Sequence, residues 1–143
     1  MFKLRKILNK HNNAPEIESL KISQDSISVA ESIYCLAWGE LTSNVNLDIE
    51  PNNLLFIAYS NVGEYDEERD VVCTRITPDM IFEAKPTTSI IKGNKFKLRK
   101  TTDKCGFDSI EPAGADERSD GYVVDASNYA LNKTLLVRFH CNQ

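Results

Sequence analysis

Histidine is scarce in this chain. Two occur in 143 residues, His11 and His140, which leaves few groups suited to proton transfer near neutral pH. His140 adjoins Cys141. Consecutive strand residues point to opposite faces, so the pair is not expected to converge on a metal or to form a Cys–His dyad. The nucleophile elbow GxSxG, the phosphate cradle GxxxxGK[ST] and the dinucleotide turn GxGxxG are all missing. The four cysteines, Cys35, Cys73, Cys105 and Cys141, are far apart and form no CxxC pair, which excludes zinc-ribbon spacing. Cys35 and Cys73 lie within apolar runs and are expected as buried free thiols. No apolar run approaches the ~20 residues that cross a bilayer. Residues 1–13 carry neither an apolar core nor a small-residue cleavage site, so a secretory signal is not expected. These absences point away from an enzyme and from a bound cofactor or metal.

What remains is an ordinary soluble composition, 41% apolar and 27% charged, at a length that supports one hydrophobic core. The net charge of −4 is unevenly spread. Residues 1–13 hold Lys3, Arg5, Lys6 and Lys10 and no acid, leaving 13 basic against 21 acidic side chains in the rest. An acidic body disfavours broad binding to phosphate backbones. The basic-apolar start, with Phe2, Leu4, Ile7 and Leu8 among its bases, is expected as an N-terminal arm. Its competitor is a first strand packed on its own domain. Asn12-Asn13-Ala14-Pro15 ends the segment, and 14–143 is expected as a single β-rich domain.

The chain is organised around Val71–Pro86. Val71, Val72, Thr74, Ile76, Ile81 and Phe82 favour a pleated surface, and Pro78 interrupts them, so the pattern predicts strand, turn, strand. Short strands are also expected at Glu16–Ile22, Leu54–Tyr59, Lys95–Arg99, Tyr122–Val124 and Leu135–Phe139. Ile33–Ala37 alternates as a strand, with a hairpin at Gly39-Glu40 favoured over a helix capped by Ser28. Glu64–Asp70 and Glu111–Asp120 read as solvated acidic loops, and the former does not fit a calcium loop. Lys95, Lys97, Arg99 and Lys100 make a basic strand face, explained as charge that discourages pairing at a sheet edge. Trp38 is expected as a core or edge anchor. The sum is an all-β fold, a compact antiparallel β-barrel or β-sandwich, with room for one short helix near Asp125–Ala130.

In order along the chain stand Met1–Ile7, Ala14-Pro15-Glu16, Gly39-Glu40-Leu41, Phe56-Ile57-Ala58, Arg75–Glu83, Lys92–Leu98 and Leu131–Phe139. Taken together they resemble the small head decoration (auxiliary capsid) proteins of tailed bacteriophages. Arg75-Ile76-Thr77-Pro78-Asp79-Met80-Ile81-Phe82-Glu83 is the most specific piece. The chain departs from that pattern at Leu131-Asn132, where a glycine is usual, and in its two acidic loops. The resemblance implies a structural virion protein, made in the bacterial cytoplasm, that binds the outside of an assembled capsid and stabilises it. Its partners would be the major capsid protein, and further copies of itself (a dimer or trimer) or a head fibre. Neither a membrane nor nucleic acid is expected, and no catalytic residue carries over. Phe2, Lys3, Leu4, Arg5 and Lys6 are the candidate capsid contacts. The alternatives are another virion β-domain (a head-fibre base, neck or tail component) and a glycan-binding surface module.

Overall fold

Alternation of apolar and polar residues dominates what the chain builds. The computed structural model describes residues 2–8, 18–22, 33–36, 45–46, 54–58, 69–99, 101 and 107–140, with side chains at 2–8, 56–57, 74–99, 101 and 107–140. The strands are β1 (Phe2–Ile7), β2 (Glu18–Ile22), β3 (Ile33–Leu36), β4 (Val45–Asn46), β5 (Leu54–Ala58), β6 (Arg69–Arg75), β7 (Met80–Ala84), β8 (Lys95–Arg99), β9 (Ser109–Pro112), β10 (Gly121–Asp125) and β11 (Leu135–Phe139). One short helix, α1 (Tyr129–Asn132), precedes β11. The all-β expectation holds. Among the described residues neither sheet closes on itself, so the barrel alternative gives way to open sheets.

The chain divides into two compact units. The first comprises Met1–Ala14, Thr77–Thr101 and Asp108–Cys141, and the second Pro15–Ile76, Thr102–Phe107 and Asn142–Gln143. The second unit holds a five-stranded sheet in the order β2-β6-β5-β3-β4, with every pair antiparallel. Phe56, Ile57, Thr74 and Ile76 are buried in it. Arg69 and Asp70, expected in a solvated loop, instead open β6, where Asp70 pairs with Lys21 and Arg69 with Ile22. The expectations for His11, the Ser28 cap, Trp38, the Gly39-Glu40 hairpin, Cys105 and Cys141, and for the side chains of Cys35 and Cys73, lie outside what is described.

The first unit holds a six-stranded antiparallel sheet in the order β1-β7-β11-β10-β8-β9. One face is apolar by strict alternation: Met80, Phe82 and Ala84 on β7, Leu135, Val137 and Phe139 on β11, Phe96 and Leu98 on β8. Each is buried. Phe139 collects the aromatic rings of three other strands. Phe82 and Phe96 meet it edge to face at 5.5 Å and 5.4 Å, and Phe2 lies at 6.1 Å. Such pairs add about 0.5–1.5 kcal/mol each beyond their burial. β10 contributes the space for them. A Cβ on Gly121 would stand 2.0 Å from the Arg138 carbonyl and 2.7 Å from the Phe96 ring, so only glycine fits.

Phe2–Ile7 is a strand of this sheet and not an arm. It pairs with β7 from Phe2↔Ala84 to Ile7↔Met80, with both ends buried. The pairing shifts between Leu4 and Lys6, a bulge at Arg5, whose guanidinium meets Glu83 at 2.7 Å. The expected turn at Thr77-Pro78-Asp79 is present. Thr77 donates its hydroxyl proton to the Asp79 carboxylate, and the Met80 N–H reaches the Thr77 carbonyl at 3.2 Å. The turn is tied to β1 by Leu8 N–H donating to Asp79 O (2.8 Å), and to β11 by Arg138 Nε donating to Pro78 O (2.8 Å). The helix starts later than expected because Asp125 ends β10 and accepts the Ser127 N–H (2.8 Å), holding those residues in a turn. Lys133 caps α1 in the left-handed conformation at φ 57°.

Truncating the shared ring should cost the unit heavily. Phe139→Ala is expected to lose about 3–5 kcal/mol in urea unfolding; a loss below about 1 kcal/mol would show that the four rings do not act as one cluster.

Candidate functional site

The buried face leaves its complement open. Alternation turns Lys3 and Lys6 of β1, Ile81 and Glu83 of β7, Leu136 and Arg138 of β11, Tyr122 and Val124 of β10, and Lys95, Lys97 and Arg99 of β8 to the other side of the sheet. Register then aligns some of them across the strands. Lys6 pairs with Ile81, Arg138 with Tyr122, and Tyr122 with Lys95. Continuing the Val137↔Phe82 register by one residue sets Arg138 abreast of Ile81. The result is a transverse row, Lys6–Ile81–Arg138–Tyr122–Lys95. Next to it the Tyr122 ring faces the His140 ring at 6.0 Å.

The cations of this face fall into two groups. Lys97 bridges Glu111 (3.4 Å) and Glu117, and Arg99 meets Glu111 at 2.6 Å. Hydrogen bonding to Glu117, foremost, lifts Lys97 above its ordinary value, and the bond from Arg99 holds Glu111 below the usual carboxylate range. Glu117 is lowered by Lys97 and then by the Gly114 N–H, which donates to it at 3.0 Å. These pairs are solvent-exposed and contribute little to stability. Lys3, Lys6 and Lys95, by contrast, are exposed and have no carboxylate partner among the described residues.

β8 lies between β10 and β9 in the strand order. Edge protection therefore does not account for its lysines, whereas Lys3 and Lys6 on β1 do stand at an end of the sheet. Glu111 and Pro112, expected in a loop, belong to β9, where Glu111 pairs with Lys97 and Pro112 with Phe96. Of the candidate contacts, Phe2 is fully buried beside Phe139 and is no contact surface. Leu4 is half-buried, Arg5 is paired with Glu83, and Lys3 and Lys6 stand free on the surface. The structure places Arg138, Tyr122 and Lys95 in one transverse row with Lys6. The phases of the strands at Lys95–Arg99, Tyr122–Val124 and Leu135–Phe139 carried that signal; the strand order needed to assemble it was not in the sequence.

Asp120 fastens β8 to β10, whose ladder has only two paired positions. Its buried carboxylate accepts the Leu98 N–H (2.7 Å) and Arg118 Nε (3.2 Å), while Arg118 also donates to the Leu98 carbonyl (3.3 Å). Burial pushes this carboxyl up, against the lowering effect of those donors. A cleft of about 540 Å³ opens beside Lys95, rimmed by Ile91, Pro112, Gly114, Glu117 and Ser119. Ser119 Oγ lies 3.1 Å from His140 Nε2. Ser119 also donates to the Gly121 carbonyl (3.2 Å), and among the described residues nothing orients the other ring nitrogen of His140. An activated serine needs both an accepting base and a group that orients it. No family description, curated protein or solved structure matches the chain.

Asp120 sets a pH dependence of definite sign. A carboxyl raised in the fold contributes stability that is complete below its unfolded value of 3.8 and is lost as pH rises through the raised folded value. Glu111, lowered from 4.5, works oppositely: its contribution is present above that value and lost as pH falls through the folded one. Asp120→Asn keeps an acceptor for Leu98 and removes the titration. Wild type is therefore expected to gain on the variant as pH falls from about 7 to about 4 in paired urea unfolding curves. Curves that stay parallel would contradict a buried, raised carboxyl.

Proposed function

We propose that this chain is a structural virion protein that binds the outer surface of a bacteriophage capsid and stabilises the assembled head. One observation supports the reading: four of the segments that resemble head decoration proteins, scattered along the sequence, belong to one sheet. Met1–Ile7 supplies β1, Arg75–Glu83 supplies the turn and most of β7, Leu131–Phe139 supplies β11, and Lys92–Leu98 supplies most of β8. The first three of these strands are adjacent in the order β1-β7-β11, and β8 follows after β10. Phe56-Ile57-Ala58 falls on β5 of the second unit. Ala14-Pro15-Glu16 and Gly39-Glu40-Leu41 lie outside the described residues.

The role asks for a rigid domain with one surface for the shell and another for solvent. A standard interface of about 1,600 Å² per copy, repeated over a symmetric shell, would clamp neighbouring subunits together. The partners of this reading are the major capsid protein and, at symmetry axes, further copies of the chain.

Co-sedimentation of the purified protein with phage heads assembled without it tests the proposal. Saturation on the order of hundreds of copies per head is expected; a plateau near about a dozen would move the protein to a neck, tail or fibre vertex. No binding would overturn a virion-surface role.

A further inference from the structure

We infer that the outer face of the first unit's sheet, along Lys6–Ile81–Arg138–Tyr122–Lys95, is a docking surface for an acidic protein surface. On the decoration reading, on which this inference rests, that surface is the exterior of the capsid shell. Three observations carry it. The chain is acidic overall at −4, yet this face gathers Lys3, Arg5, Lys6, Lys95, Lys97, Arg99 and Arg138 against Glu83, Glu111, Glu117 and Asp125. The cations without a carboxylate among the described residues, Lys3, Lys6 and Lys95, stand on the strands at either end of the row, while Arg5, Lys97 and Arg99 are paired. Apolar and aromatic side chains, Ile81 and Tyr122, alternate with the charges, so the row offers contact area as well as charge.

Spacing suits a broad partner. Lys6 and Lys95 are four strand intervals apart, roughly 19 Å at the usual ~4.8 Å per strand. That exceeds the ~8 Å screening length of physiological salt, so the free charges hardly repel one another and each is available to a separate acid. A phosphate backbone is the less favoured occupant. Glu83, Glu111 and Glu117 interrupt the face, and Tyr122 is the single aromatic side chain of the row, where a strand of bases needs several stacking rings and unbroken positive charge. A folded partner can match both signs.

Lys6→Glu with Lys95→Glu reverses two exposed, unpaired charges. Lys92→Glu with Lys133→Glu, also exposed but outside the row, is the control. Circular dichroism and thermal melting confirm that each variant is folded. Retention is read at low salt on immobilised poly-L-glutamate and on oligo-dT, beside co-sedimentation with phage heads. Wild type and control are expected to bind poly-L-glutamate and heads, with the Lys6/Lys95 variant about tenfold weaker on both. Equal binding of heads by wild type and variant overturns the docking face while leaving the decoration reading intact. Loss on poly-L-glutamate, with no protein binding heads, keeps the acidic-partner face and overturns the decoration reading. Tighter retention on oligo-dT than on poly-L-glutamate overturns the choice of partner.

Discussion

Phe82 and Phe96 pack edge to face on Phe139, and the first unit depends on that contact. The three rings come from β7, β8 and β11, the last separated from β8 in the chain by two strands and a helix, and Phe2 brings β1 to the same place. Gly121 completes it from β10 by having no side chain where Phe96 lies. Strand pairing alone tolerates a slip of one residue. Such a slip would turn the slipped strand's ring to solvent and its outward side chains to the core, so the cluster fixes the register as well as the stability.

Fixing the register on one face also fixes the chemistry of the other. Once Phe96 and Leu98 point inward, Lys95, Lys97 and Arg99 must point outward; once Val137 and Phe139 are buried, Arg138 joins them. The charged face is thus a consequence of the aromatic one, its backbone positions set by the core beneath it. Asp120 and Arg118 secure the join between β8 and β10, where the ladder is shortest, so the free lysine of β8 stays aligned with Tyr122. Complementary charge of this kind favours specificity and association rate over raw affinity.

Much of this was legible from residue order. Leu135–Phe139 and Lys95–Arg99 announce their strands by strict alternation, and Pro78 marks the break between β6 and β7. The fate of Phe2–Ile7 was not, because a short alternation of bases and apolar residues reads equally as an arm or a strand until a partner is known. β7 supplies that partner, through Ala84 and Met80. Arg69-Asp70 and Glu111-Pro112 were hidden for a related reason: charge and proline argue for a loop, and only the pairing with β2 and β8 shows that they belong to strands. The candidate face was legible only in part. Lys95, Lys97 and Arg99 were visible as a basic face, but their alignment with Tyr122, Arg138 and Lys6 depends on strand order, which connects residues more than a hundred positions apart.

Lysine-acylation footprinting on intact heads tests the central claim most directly, because it reads individual side chains on the assembled particle. Lys6 and Lys95 should be protected when the protein is bound, while Lys92 and Lys133, exposed and outside the row, should react as they do in the free protein. Protection of Lys92 and Lys133 with Lys6 and Lys95 still reactive would contradict it, and would place the contact on another face of the chain.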